Sequence, residues 1–128
     1  MTGLDHFVLT VGDIDATVAF YTRVLGMTPE RFDAADGTTR AALKFGAQKI
    51  NLHRQGREFE PKARTPTPGS ADFCLLTDAP LDDWRLHLLS EGVAVEAGPV
   101  RRTGARGPIT SLYLRDPDGN LVEIASYA

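Results

Sequence analysis

At 128 residues, with 42% hydrophobic and 24% charged side chains, the chain has the size and composition of one globular domain with a real core. A net charge of -3 and a pI near 5.5 exclude a general nucleic-acid or anionic-membrane binder, because both need a clustered basic face. The single cysteine, Cys74, excludes an intramolecular disulfide framework. No apolar run approaches the roughly 18 residues of a membrane span, and Met1-Thr2-Gly3-Leu4-Asp5-His6 lacks a secretory pattern, so a cytoplasmic location is expected.

Residues 4–11 alternate as a strand, with Phe7, Leu9 and Val11 on one face and Leu4, His6, Val8 and Thr10 on the other. Gly12-Asp13 breaks it. Asp13 is a good N-cap, and Ile14, Val18, Tyr21 and Leu25 recur at helical spacing until Gly26 supplies a stop. A short strand is expected over 27–32, a loop over 33–38, and a hairpin of strands 40–45 and 49–53 turning at Gly46-Ala47. Residues 54–70 are polar, aperiodic and punctuated by Pro61, Pro66, Pro68 and Gly69, which reads as a long loop or linker. There follow a strand over 72–77, a helix over 80–91 with Leu81, Trp84, Leu88 and Glu91 in register, and a short strand over 93–97. A basic, glycine-rich loop spans 101–108, and strands 109–115 and 121–126 complete the pattern. Between those two strands lies Asp116-Pro117-Asp118-Gly119-Asn120, where Pro presets φ, Gly permits positive φ, and Asp and Asn bond their own backbone.

Each half thus reads as strand, helix, strand, strand, strand. This is an internal duplication with module 1 at about 1–55, a linker at about 56–70 and module 2 at about 71–128. His6 and Asp72 occupy matching positions in the first strands, and His53 and Glu123 lie in the fourth. The sets Phe7/Leu9/Val11, Ile50/Leu52, Phe73/Leu75 and Val122/Ile124 form the helix-packing face, which leaves His6, His53, Asp72 and Glu123 on the other. A glutamate in the apolar run 121–125 is costly to bury unless a cation meets it. Where a curled sheet brings these four together, imidazole and carboxylate suit one divalent ion: Fe, Ni, Mn, Co or Zn. Two imidazoles and a carboxylate also leave coordination positions open for a substrate.

The remaining polar residues divide by alternation. Ser111, Tyr113 and Arg115 fall on the cavity face, and His87, between Leu86 and Leu88, reads as a surface residue. Cys74 shares a face with Asp72, although a free cysteine more often serves as a small hydrophobe. Arg101, Arg102 and Arg106 sit in the 101–108 loop, which reads either as a solvated loop or as a mobile lid gripping a carboxylate or phosphate.

The stretch Asp5-His6-Phe7-Val8-Leu9-Thr10-Val11, the run from Asp13 through Phe20-Tyr21 to Leu25-Gly26-Met27, and Leu114-Arg115-Asp116-Pro117-Asp118-Gly119-Asn120-Leu121-Val122-Glu123-Ile124 together resemble the vicinal oxygen chelate superfamily. That group includes glyoxalase I, bleomycin-resistance proteins, fosfomycin-modifying thiol transferases and extradiol dioxygenases, and the likeness is nearest to its small glyoxalase-domain proteins. The resemblance implies an α+β fold in which two βαβββ modules form a curved mixed sheet around a cavity holding one divalent metal. It also implies a homodimer whose paired chains complete each site, and a small-molecule substrate rather than a nucleic acid or membrane. The first-strand metal histidine maps onto His6 and the last-strand glutamate onto Glu123. Glyoxalase I carries Glu at the slot assigned to His53 and His at the slot of Asp72, so the ligand set expected here is His6, His53 and Glu123, with Asp72 a candidate fourth.

Three functions follow. The first is a glyoxalase-like lyase or isomerase acting on a small substrate with vicinal oxygens, in which Glu123 or Asp72 carries the proton. The second is an Fe(II) extradiol ring-cleavage dioxygenase, for which two His and one carboxylate are the facial-triad composition. The third is a non-catalytic small-molecule or drug-binding protein of the bleomycin-resistance type. A thiol transferase has no distinctive support.

Overall fold

The computed structural model describes residues 1–128. They divide into two compact units, Met1–Ser70 and Ala71–Ala128. Unit 1 holds strand β1 (His6–Val11), helix α1 (Ile14–Arg23) and strands β2 (Thr28–Asp33), β3 (Thr39–Phe45) and β4 (Gln48–Arg54). Unit 2 holds β5 (Asp72–Leu76), α2 (Leu81–Ser90), β6 (Ala97–Gly104), β7 (Gly107–Arg115) and β8 (Leu121–Ser126). The strand orders are β1-β4-β3-β2 and β5-β8-β7-β6, with β1/β4 and β5/β8 parallel and the other pairs antiparallel. Two helices and eight strands in two four-stranded mixed sheets are therefore the two expected βαβββ modules.

Local chemistry accounts for the first unit. Asp13 caps α1, its carboxylate accepting from the Ala16 amide at 3.0 Å. After α1 the chain turns at Gly26, and the β3–β4 hairpin turns at Gly46, both at positive φ. One helix face differs from expectation. The buried residues are Thr17, Tyr21 and the cap residue Val24, while Ile14, Val18 and Leu25 are only half-buried beside them. Thr17 tolerates burial because its hydroxyl donates to the Asp13 carbonyl at 2.9 Å. Leu9, Val11, Leu43, Ile50 and Leu52 complete that core.

Unit 2 buries Leu88 of α2 with Leu112, Leu114, Val122 and Ile124. Trp84 donates its indole N–H to Thr77 at 2.7 Å, and His87, expected at the surface, is half-buried edge-on against Trp84. The larger departure concerns residues 93–108. The strand expected over 93–97 does not form before Ala97. Instead β6 starts at Ala97 and runs through the expected loop, pairing Arg101 with Thr110, Arg102 with Ile109 and Gly104 with Gly107. Arg-Arg-Thr-Gly carries no apolar alternation because β6 is the end strand of its sheet and needs none. The 54–70 stretch also has partners: Phe59 lies edge-on to His53, and Arg40 stacks over Phe59 at 3.8 Å. No helix is long and apolar enough to cross a membrane.

Candidate functional site

The turn at 116–120 fixes the residue of greatest chemical interest. Asp116 is 6% exposed and Asn120 1%. The Asp116 carboxylate accepts from the Asp118 amide at 3.0 Å, the Asn120 amide at 2.9 Å and the Asn120 side-chain amide at 2.8 Å. Asn120 Oδ1 in turn accepts from the Ala71 amide at 2.9 Å, which ties the start of β5 to the start of β8. This sets the parallel register in which Cys74 lies opposite Glu123.

Glu123 lies between Cys74 on β5 and Tyr113 on β7. Ser111 donates its hydroxyl to Glu123 Oε2 at 2.5 Å, and no basic side chain pairs with the carboxylate. Its field reaches both neighbours. Burial, then the Glu123 charge, pushes the Cys74 thiol up to about 11, so it is a thiol and not a thiolate nucleophile near neutral pH. Burial likewise raises Tyr113, with the Glu123 carboxylate adding to the effect and the Arg102 guanidinium opposing it. Cys74, Arg102, Tyr113 and Glu123 line a cleft of about 460 Å³ within unit 2, whose apolar walls include Leu76, Ile109 and Tyr127.

In unit 1 the corresponding position is not the one expected. By strand pairing Val8 faces Asn51 as Cys74 faces Glu123, so Asn51, rather than His53, matches Glu123. The sequence held the signal: Ile50-Asn51-Leu52 repeats the apolar-polar-apolar pattern of Val122-Glu123-Ile124. Asn51 Oδ1 is buried and accepts no hydrogen bond, which leaves an amide oxygen in want of a donor or a cation. His6 pairs with Lys49, four positions from His53, so the two imidazoles are offset by roughly 13 Å along the strands. Two imidazoles on one ion must come within about 4 Å of each other, and this register does not bring them there.

His6 is half-exposed and bonds Asp5 through Nδ1 at 2.7 Å. With Nδ1–H donating to that carboxylate, Nε2 keeps its lone pair, the orientation in which a histidine ligates a metal. His53 is 8% exposed, and burial first, then the Arg40 charge, lowers its pKa from the ordinary 6.5. Asp72 is exposed on β5 opposite Leu121, in the field of Arg115 and outside the cleft lining. Neither unit by itself gathers three or more His, Cys, Asp or Glu side chains in a group able to hold a metal. Ser111 was placed on the cavity face but given no role, and Asn51 and Phe59 were not among the candidates; their roles depend on which strands pair and on how the 54–70 stretch packs.

The His53 environment makes a prediction. In Arg40→Gln the midpoint of His53, followed by NMR titration, is expected to rise and yet stay below 6.5, because its burial persists. The depressed folded value means that His53 supports folding fully above 6.5 and loses that contribution as pH falls through the folded pKa. Arg40→Gln should shrink this acid-side loss. An unmoved midpoint would show that the guanidinium is not felt at the ring.

Residues 3–124 match the model of the Glyoxalase/Bleomycin resistance protein/Dioxygenase superfamily, and the chain belongs to that superfamily. It is 55% identical over 124 residues to the virulence protein STM3117 of Salmonella typhimurium, covering 97% of this chain and 83% of that protein. Among solved structures it resembles the integron cassette protein VPC_CASS1 of V. Pseudocholerae, with a TM-score of 0.95, 53% identity and coverage of 100% of this chain and 96% of that one. A lactoylglutathione lyase from Agrobacterium tumefaciens is similar at a TM-score of 0.72 and 27% identity over 99% of this chain and 95% of that one.

Proposed function

We propose that the protein is a divalent-metal-dependent enzyme, a glyoxalase-like lyase or isomerase acting on a small substrate with neighbouring oxygens. The observation that carries this reading is Glu123: a carboxylate in a cleft wall, held by Ser111, with no basic side chain paired to it. The donor set suits a borderline divalent ion. His6, with its Nδ1 engaged by Asp5, and Glu123 are the proposed ligands. The ion would supply Lewis acidity toward paired substrate oxygens. Ser111 holds Glu123 in place, Tyr113 stays protonated as a donor toward a substrate oxygen, and Glu123 is the carboxylate proposed to carry a proton. A homodimer in the cytoplasm, the arrangement expected from the sequence, belongs to the same proposal. The ring-cleaving dioxygenase reading has less support, because it rested on His6 and His53 as a pair.

Elemental analysis tests this. Wild type is expected to carry or take up close to one divalent ion per chain, and His6→Ala and Glu123→Ala to lose it. His53→Ala and Asp72→Ala are expected to retain it. A wild type that neither retains nor takes up any divalent metal would sink the enzyme reading and leave a small-molecule binding protein.

A further inference from the structure

The three arginines of the 101–106 segment have separate fates once β6 is a strand. Opposite Val100, Arg102 and Gly104 lie Ser111, Ile109 and Gly107 of β7, so these β6 residues share the face of Ser111, Tyr113 and Glu123. Arg101 points to the reverse face, opposite Thr110. Arg106 caps the hairpin turn, its guanidinium 4.3 Å from the Tyr127 ring centre and its amide bonded to the Tyr127 hydroxyl at 3.0 Å. Only Arg102 of the three lines the cleft.

Arg102 is held but not neutralised. Its Nε donates to the Tyr113 hydroxyl at 3.1 Å and its Nη1 to the Arg101 carbonyl at 3.0 Å, while no carboxylate pairs with it. Arg115, on the same sheet face but outside the cleft lining, is spent on Glu96 through two bonds of 3.0 Å. A guanidinium fixed at two nitrogens, with Nη2 still to be satisfied, is organised in advance for an anion. The same cleft holds the Glu123 carboxylate, which disfavours a doubly charged ligand, and its walls of Leu76, Ile109 and Tyr127 are apolar. We propose that Arg102, positioned by Tyr113, binds the carboxylate of a singly charged substrate that carries an apolar body into this cleft.

The inference rests on the reading of the cleft as the substrate site, and its test is kept apart from the metal. Benzoate, with benzamide as its neutral isostere, is titrated into the chain in the presence of EDTA, and backbone amide NMR shifts are followed. Benzoate is expected to bind saturably, with shifts at Cys74, Tyr113 and Glu123, and to bind at least about tenfold more weakly to Arg102→Gln, the loss of one charge-assisted contact. Arg102→Lys should retain part of that affinity and Arg101→Gln all of it. Benzamide should bind wild type and Arg102→Gln alike. Equal binding of benzoate and benzamide by wild type, no saturable benzoate binding, or an equal loss in Arg101→Gln would overturn the proposal. Because metal is chelated throughout, a chain without a metal site leaves the benzoate result standing.

Discussion

Gly98→Ala is expected to destabilise unit 2 by about 3–5 kcal/mol, from backbone strain and overpacking together. Gly98 has φ 109, in the region that L side chains avoid, and a Cβ there would lie 2.3 Å from the Ser111 carbonyl oxygen and 3.0 Å from the Leu112 Cα. Both obstacles are backbone of an interior strand, so neither can swing aside. The glycine sits where the β6–β7 register shifts between Ala97 and Val100, the irregularity that sets Arg102 on the face of Ser111. Trp84, the only tryptophan, lies in α2 of this unit, so its fluorescence reports the denaturant midpoint directly. Gly119→Ala is the control: φ 89 but nothing within 4 Å of the added atom, hence strain alone and a cost of about 1–2 kcal/mol. If Gly98→Ala proved no worse than Gly119→Ala, the backbone clash would not be felt. Since the obstructed carbonyl belongs to the residue that holds Glu123, the variant should also weaken metal uptake under the proposed function.

What the sequence made legible was local. Alternation marked β1, β4 and β8, Asp13 announced the start of α1, and Asp116 to Asn120 announced a turn whose strand carries Glu123. Each of those signals lies within a few residues of the feature it specifies. The misses were non-local. Which residue of β4 matches Glu123 depends on how β4 pairs with β1, some forty positions upstream, and counting strands instead of registers selected His53 over Asn51. In the same way, Arg101 to Gly104 became a strand only through pairing with Gly107 to Thr110, because an end strand between a cleft and solvent has no core to impose alternation. For α1, apolarity alone favoured Ile14 and Val18, whereas a hydroxyl bonded to the preceding turn let Thr17 take the buried stripe.

Asn120→Ala should cost about 2–4 kcal/mol, because two buried hydrogen bonds go at once and one of them is to a carboxylate. The variant removes a donor from Asp116 and strips the Ala71 amide of its acceptor. Nothing of similar size can take over, since alanine offers neither group and the site is closed to solvent. The consequence extends past stability. Asn120 and the adjoining bond from the Leu121 amide to the Ala71 carbonyl, at 3.0 Å, are what hold the beginnings of β5 and β8 side by side. Two residues further along, that register sets Glu123 opposite Cys74. Hydrogen exchange of the native state should therefore quicken first at Ala71 and Leu121, and only with global unfolding at Leu112 and Leu114 in the interior strand β7. A stability loss under about 1 kcal/mol, or exchange that quickens uniformly along the sheet, would mean that the turn does not set the register. The order predicted here would instead mean that the turn motif serves the site by aiming Glu123.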